Sequence, residues 1–154
     1  MTAIQRRLNN HTIICGFGAT GREAADELVR RGCPPGEIVV VDGSEAALEA
    51  AVGQDLATVH GDATHNAVLT AARIERARSL IVTPGRGDTA VLIALTARRL
   101  AAHVPVAVEI QATENEVLAS DAGATVIVKP TSSADSFSQG RAGARISPTM
   151  SPTS

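Results

Sequence analysis

An α/β fold, a doubly wound parallel sheet of six strands in three α/β/α layers, follows from three observations on this chain of 154 residues. Short aliphatic runs alternate with longer helix-forming runs from Thr12 to Val128. The short runs are apolar without alternation, as strands covered on both faces must be. The first of them leads directly into Gly16-Phe17-Gly18-Ala19-Thr20-Gly21, a G-x-G-x-x-G turn that opens a helix. Strands that alternate with helices pair in parallel through right-handed crossovers, which gives the doubly wound arrangement.

Residues 1–10 are polar, carry Arg6 and Arg7, and read as an arm or linker. The first strand is Thr12 to Cys15. After the glycine turn, Ala24, Ala25, Leu28 and Val29 mark one apolar helix stripe, and Arg30-Arg31-Gly32 places cations and a terminating glycine at its end. Cys33-Pro34-Pro35-Gly36 turns the chain into a second strand, Ile38 to Val41. Ser44 is placed to cap a helix over Glu45 to Val52, followed by Gly53. A third strand covers Leu56 to His60, and a short helix Asn66 to Ala72. A fourth strand runs from Ser79 to Thr83. Asp88 or Thr89 then caps a helix ending near Leu100. A fifth strand spans Val104 to Ile110, with Pro105 at its start. A helix over Glu114 to Ala122 and a sixth strand over Thr125 to Val128 complete the alternation. Residues 131–154, rich in Ser, Thr, Pro, Gly and Ala, read as a flexible tail, so the folded domain is expected over 11–130.

The glycine turn has a physical meaning. Its first glycine allows a sharp exit from the strand, its second lets a diphosphate approach the backbone, and its third lets the helix pack against the strand. The free N–H groups at the helix start attract the anion. Asp42 follows the second strand, 21 residues beyond Gly21. A carboxylate there accepts ribose hydroxyls and repels a 2′-phosphate. Sheets of this kind bind ligands where strand order reverses, at the carboxyl ends of strands. Gly16 to Gly21, Asp42, Asp62 and Thr83 all fall at such ends.

Composition narrows the alternatives. A formal net charge of −2 and the absence of a basic cluster argue against a nucleic-acid partner. No apolar run is long enough for a membrane helix, so no direct insertion by this chain is expected. Two cysteines, Cys15 and Cys33, fit a reduced, cytoplasmic setting, with Cys15 a buried core residue. With no Trp or Tyr and only two Phe, the core must be aliphatic. His60 and His65 are spaced like neither a zinc site nor a catalytic pair, and no metal is expected. The helix from Thr89 to Leu100 is apolar on more than one face (Val91, Leu92, Ile93, Leu95, Leu100), which points to a dimer seam.

The segments HTIICGFGATG, VVVDGS, VHGDATHNAVLTAARIERARSLIVT and AGATVIVKP, in that order, resemble the nucleotide-binding lobe of RCK/KTN domains, the regulators of K⁺ conductance also called TrkA-N domains. The most specific part is Gly61-Asp62-Ala63-Thr64 followed by Leu69, Ala72, Ile74 and Ala77. The resemblance implies a Rossmann domain, not an enzyme. It implies a domain that sits in the cytoplasm at the inner face of the membrane, beneath a potassium channel pore or the membrane subunit of a K⁺ transporter. It further implies a homodimer or larger ring that binds NAD(H) or an adenine nucleotide (AMP, ADP or ATP) and couples binding to gating. By position, Gly16, Phe17, Gly18, Ala19, Thr20 and Gly21 would hold phosphates. Asp42, with Gly43 and Ser44 beside it, would hold the ribose. Gly61, Asp62 and Ala63 would flank the adenine, and Thr83 and Pro84 would line the far side of the cleft. The pattern departs from the family at Ala19, where many members carry a base. It also departs at Thr83 and at Glu109 with Gln111, where calcium-gated members carry acids.

Two other functions fit the same fold. One is the cofactor-binding part of a truncated NAD-dependent oxidoreductase. Against it, the chain has no tyrosine, its only lysine is Lys129, and little chain follows the sixth strand to build a substrate domain. The other is a structural assembly module whose nucleotide site has decayed.

Overall fold

The computed structural model describes residues 8–83, 87–111, 123 and 125–129. Over these, strands β1 (Thr12–Cys15), β2 (Ile38–Asp42), β3 (Ala57–His60), β4 (Ser79–Val82), β5 (Val106–Gln111) and β6 (Thr125–Lys129) form one sheet in the order β3-β2-β1-β4-β5-β6. Every neighbouring pair is parallel, with Ile14 of β1 opposite Val40 of β2 and Ile81 of β4. Helices α1 (Ala19–Arg30), α2 (Glu45–Val52), α3 (Asn66–Ala71) and α4 (Gly87–Leu100) connect them. The expected helix over 114–122, the arm over 1–7, Pro84 and the tail over 131–154 lie outside the described residues.

Strand side chains alternate between two cores. Ile13, Cys15, Val39, Val41, Leu80 and Val82 pack with Leu69 of α3 and Ala90, Ile93, Ala94 and Ala97 of α4. Ile14, Ile38 and Val40 pack with Phe17, Ala25 of α1 and Ala51 of α2. Both faces of β1 and β2 are therefore covered, which is why those strands show no polar alternation. Successive strands run outward through β2 to β3, and the chain then returns across β1 to β4. The crevice at the carboxyl ends of β1 and β4 is the point of reversal.

Several boundaries differ from the sequence reading. Leu8 is buried and the Asn10 N–H donates to the Arg76 carbonyl at 2.8 Å, so packing begins ahead of His11. Val29 is 41% exposed and does not join the α1 stripe, and the chain turns directly after the helix at Arg31 and Gly32. That turn is a left-handed glycine end: Gly32 has φ +101°, and Cys33 and Gly32 return N–H bonds to Leu28 and Val29. Helix α4 starts at Gly87, so Asp88 and Thr89 lie within it rather than capping it. Pro105 precedes β5, consistent with its missing donor, and Glu109 lies half-buried inside that strand. The expected cap on α2 is present, with Ser44 Oγ accepting the Ala47 N–H at 3.3 Å.

Candidate functional site

The glycine turn sits at the point of reversal, and each glycine is there for a different reason. Gly16 has φ +100°, and a Cβ on it would lie 2.7 Å from the Thr83 carbonyl oxygen. A Cβ on Gly21 would lie 2.0 Å from the Gly16 carbonyl oxygen, so α1 packs against the strand exit only as long as residue 21 has no side chain. Gly18 is different. It has φ −79°, and a Cβ there would meet nothing within 4 Å among the described residues. Neither backbone strain nor packing among the described residues calls for glycine at 18, and the backbone there is open to the outside. Gly18 is also the N-cap of α1 and offers no side chain to its first turn. The leading N–H groups around Ala19 and Thr20 therefore point to the mouth without internal partners of the usual helical kind.

Phe17 contributes backbone only. Its ring is buried in the core on the α1 and α2 side. Its N–H donates to Asp42 Oδ2 at 2.8 Å, while Asp42 Oδ1 accepts the Ser44 N–H at 2.8 Å. An ionised carboxylate offers about four lone-pair sites. Two amides thus fix the orientation of Asp42 and leave acceptor capacity at the crevice for a pair of hydroxyls. Gly43 lies beside it, its carbonyl accepting from His60 Nε2 at 3.1 Å, and the Gly61 N–H donates to the Asp42 carbonyl at 3.1 Å. The turns after β2 and β3 are stitched together this way.

At the second of those turns Gly61 is obligatory: it has φ +154°, and a Cβ would lie 2.7 Å from Val68 Cγ2. Asp62 Oδ1 accepts from the Thr64 hydroxyl at 2.7 Å and the Thr64 N–H at 2.9 Å, and these bonds hold its carboxyl below the usual range. Its side chain otherwise faces solvent, with His65 4.0 Å away. Ala63 turns its methyl into the core and presents only backbone. Thr83 is buried, and its hydroxyl donates toward the carbonyls of Gly16 at 3.0 Å and Cys15 at 3.1 Å. Cys15 itself is fully buried beneath the turn, and burial pushes its thiol up to about 12, so it is inert as a nucleophile.

The structure thus brings the glycine turn, Asp42, Gly43, Ser44, Gly61 to Ala63 and Thr83 to one crevice. Close to the turn, on α1, stands a residue the motif reading passed over. Arg22, in the first turns of α1, carries its guanidinium over the Phe17 ring, 5.8 Å from the centroid. A cation near a helix N-terminus opposes the macrodipole, and a bound anion would relieve that opposition. No acid stands in the first turn of α1. The G-x-G-x-x-G-R run held that signal. Among the described residues no cluster of His, Cys, Asp or Glu is arranged to hold a metal ion, and no helix is long and apolar enough to cross a membrane.

A family model described as the TrkA-N domain matches residues 12–130. Potassium channel protein 1 of Methanocaldococcus jannaschii is 38% identical over 97 residues, which is 62% of this chain and 28% of that protein. The chain therefore spans under a third of that relative's length. Among solved structures, the TrkA-N domain of the inner membrane protein YbaL from Escherichia coli superposes with a TM-score of 0.72 at 22% identity, covering 81% of this chain and 90% of that one. The GsuK channel bound to NAD and GsuK bound to ADP each superpose with a TM-score of 0.68 at 25% identity and cover 79% of this chain; it spans 22% and 32% of theirs.

Proposed function

We propose, because the chain belongs to the TrkA-N domain family, that it is the nucleotide-sensing regulatory domain of a potassium channel or K⁺ transport system. Its named curated relatives are potassium channel proteins, not enzymes. The ligand in this reading is NAD(H) or an adenine nucleotide. Phosphates lie on the amides from Gly18 to Thr20, the ribose hydroxyls donate to Asp42, and the adenine stacks along Gly61 to Ala63. Arg22 supplies the cation that position 19 lacks.

One observation carries this reading: Gly18 has no steric neighbour among the described residues that would require glycine, and it lies 24 residues ahead of an aspartate whose carboxylate is oriented by two amides. A decayed site would have no need to keep both. Regulation requires that the ligand bind one arrangement of paired domains better than another, since equal affinity shifts nothing. The second copy would meet this one on α4, where Leu92 and Leu95 are 54% and 45% exposed. The membrane pore or transporter subunit is then the partner that feels the change, from the cytoplasmic side.

The test is a thermal-shift panel of NAD⁺, NADH, NADP⁺, AMP, ADP and ATP on the full 154-residue chain. A ligand at 100 times its dissociation constant adds ~2.7 kcal/mol, several degrees in Tm. NADP⁺ is expected to shift least, because its 2′-phosphate meets Asp42. Asp42→Ala should abolish most of the shift. A flat response to all six would replace the sensor with an assembly module, and NADH consumption with carbonyl substrates would replace it with an oxidoreductase.

A further inference from the structure

The peptide group between Gly16 and Phe17 is held at both ends by strands on either side of β1. In a trans peptide the C=O and N–H point in opposite directions in one plane. Here the N–H, on Phe17, donates to Asp42 Oδ2 at 2.8 Å, at the end of β2. The C=O, on Gly16, faces the other way and accepts the Thr83 hydroxyl at 3.0 Å, just past the end of β4. The Thr83 hydroxyl also lies 3.1 Å from the Cys15 carbonyl. That carbonyl also accepts the Thr83 N–H at 2.8 Å, so the hydroxyl proton is directed between two carbonyls, with Gly16 the nearer. The clamp is close-fitting: the Gly16 carbonyl lies where a Gly21 Cβ would be, and Thr83 Oγ1 is 3.2 Å from that same point.

We infer that Thr83 is a positioning residue for the nucleotide site: with Asp42 it fixes the plane of the Gly16–Phe17 peptide, and it sets nucleotide affinity through that peptide without a contact of its own to the ligand. The inference rests on the nucleotide reading above and deepens it. The electrostatic reason is direct. With its carbonyl unbonded, the peptide can rotate and bring oxygen toward the Asp42 carboxylate and the phosphate position. The turn then repels the anion it is meant to receive, and Asp42 loses the N–H that orients it. This also accounts for a buried hydroxyl at 83. Its proton points into the turn, not into the cleft.

The experiment compares wild type, Thr83→Val and Thr83→Ser in the full chain by two measurements. One is the dissociation constant for ADP and for NAD⁺ by calorimetry. The other is the position of the Phe17 amide in a ¹⁵N–¹H correlation spectrum of the ligand-free protein. Thr83→Val, isosteric but without the proton, is expected to weaken both ligands about tenfold, ~1.4 kcal/mol, and to displace the Phe17 amide. Thr83→Ser, which restores the donor, should stay within about twofold of wild type and leave the amide in place. Unchanged affinity in Thr83→Val, or a loss that Ser does not rescue, overturns the inference while leaving nucleotide binding intact. Should wild type bind none of the nucleotides, the reading of the site fails instead. The clamp is then judged by the Phe17 amide alone, and an amide unmoved by Thr83→Val overturns it.

Discussion

At the scale of single residues, the three glycines of the turn give opposite results on substitution. Gly21→Ala forces a Cβ to 2.0 Å from the Gly16 carbonyl oxygen. Backbone has to move, and overpacking of this kind costs roughly 3 kcal/mol. Gly18→Ala places its Cβ in open space at an ordinary φ of −79°. Its stability in the absence of nucleotide should fall by no more than about 1 kcal/mol, the cost of alanine at a helix N-cap, while affinity for ADP or NAD⁺ is expected to fall, because the methyl would stand in the path of the phosphates. Chemical denaturation alongside ligand titration separates the two. Loss of stability in Gly18→Ala with normal binding would show that 18 is a structural glycine. The G-x-G-x-x-G spacing was readable from the sequence, with the first glycine assigned to the turn, the second to the diphosphate and the third to helix packing. The distances bear out the fold roles of 16 and 21, where a Cβ would meet backbone at 2.7 and 2.0 Å, and show open space at 18.

At the scale of elements, His11 ties the entry of β1 to the end of α3. Its ring is fully buried and Nε2 bonds the Ala72 carbonyl at 2.8 Å. Nδ1 has no hydrogen-bond partner among the described residues. Burial lowers its pKa below 6.5, an effect that the neighbouring Arg73 reinforces and the Ala72 carbonyl and Glu75 oppose. In the unfolded chain His11 titrates normally. Below pH 6.5 the unfolded state therefore takes up a proton that the fold refuses. The stability His11 contributes is complete above that pH and is lost as pH falls through the lowered folded value. Melting between pH 7.5 and 5 should show this decline. His11→Leu should flatten the slope while lowering the plateau by roughly 1–3 kcal/mol, because Ala72 loses its donor. A slope identical in both proteins would assign the acid sensitivity to other groups. Nothing in the sequence near His11 marked it as a latch, since its partner lies 61 residues away.

At the scale of the whole molecule, α4 is divided between core and surface. Ile93, Ala94 and Ala97 are buried against β4 and β5, whereas Leu92 and Leu95, one helical turn apart, face outward. The same helix is hydrogen-bonded to the crevice, because the Thr96 hydroxyl lies 3.2 Å from the Thr64 carbonyl and 2.8 Å from that of Leu92. A second copy seated on Leu92 and Leu95 would be in reach of the nucleotide site through one side chain. Sedimentation at tens of micromolar should therefore report a dimer for wild type and a monomer for Leu92→Asp with Leu95→Asp. The double variant should keep nucleotide affinity to within about twofold. A wild-type monomer across that range would remove α4 as the seam.

What the sequence determined by itself is what depends on near neighbours along the chain. Apolar runs set the strands, Ser44 and Gly32 set helix ends, and the glycine spacing with Asp42 set the first corner, because turns, caps and periodicity act within a few residues. What the tertiary structure alone decided is which distant groups meet. Thr83 reaches Gly16 across 67 residues and His60 reaches Gly43 across 17. Leu8, read as part of an arm, and His11, ahead of the first strand, are both buried. The physical reason is the return of the chain across β1 to β4: it brings strand ends side by side that no local pattern relates, and it is there that the crevice acquires its clamp.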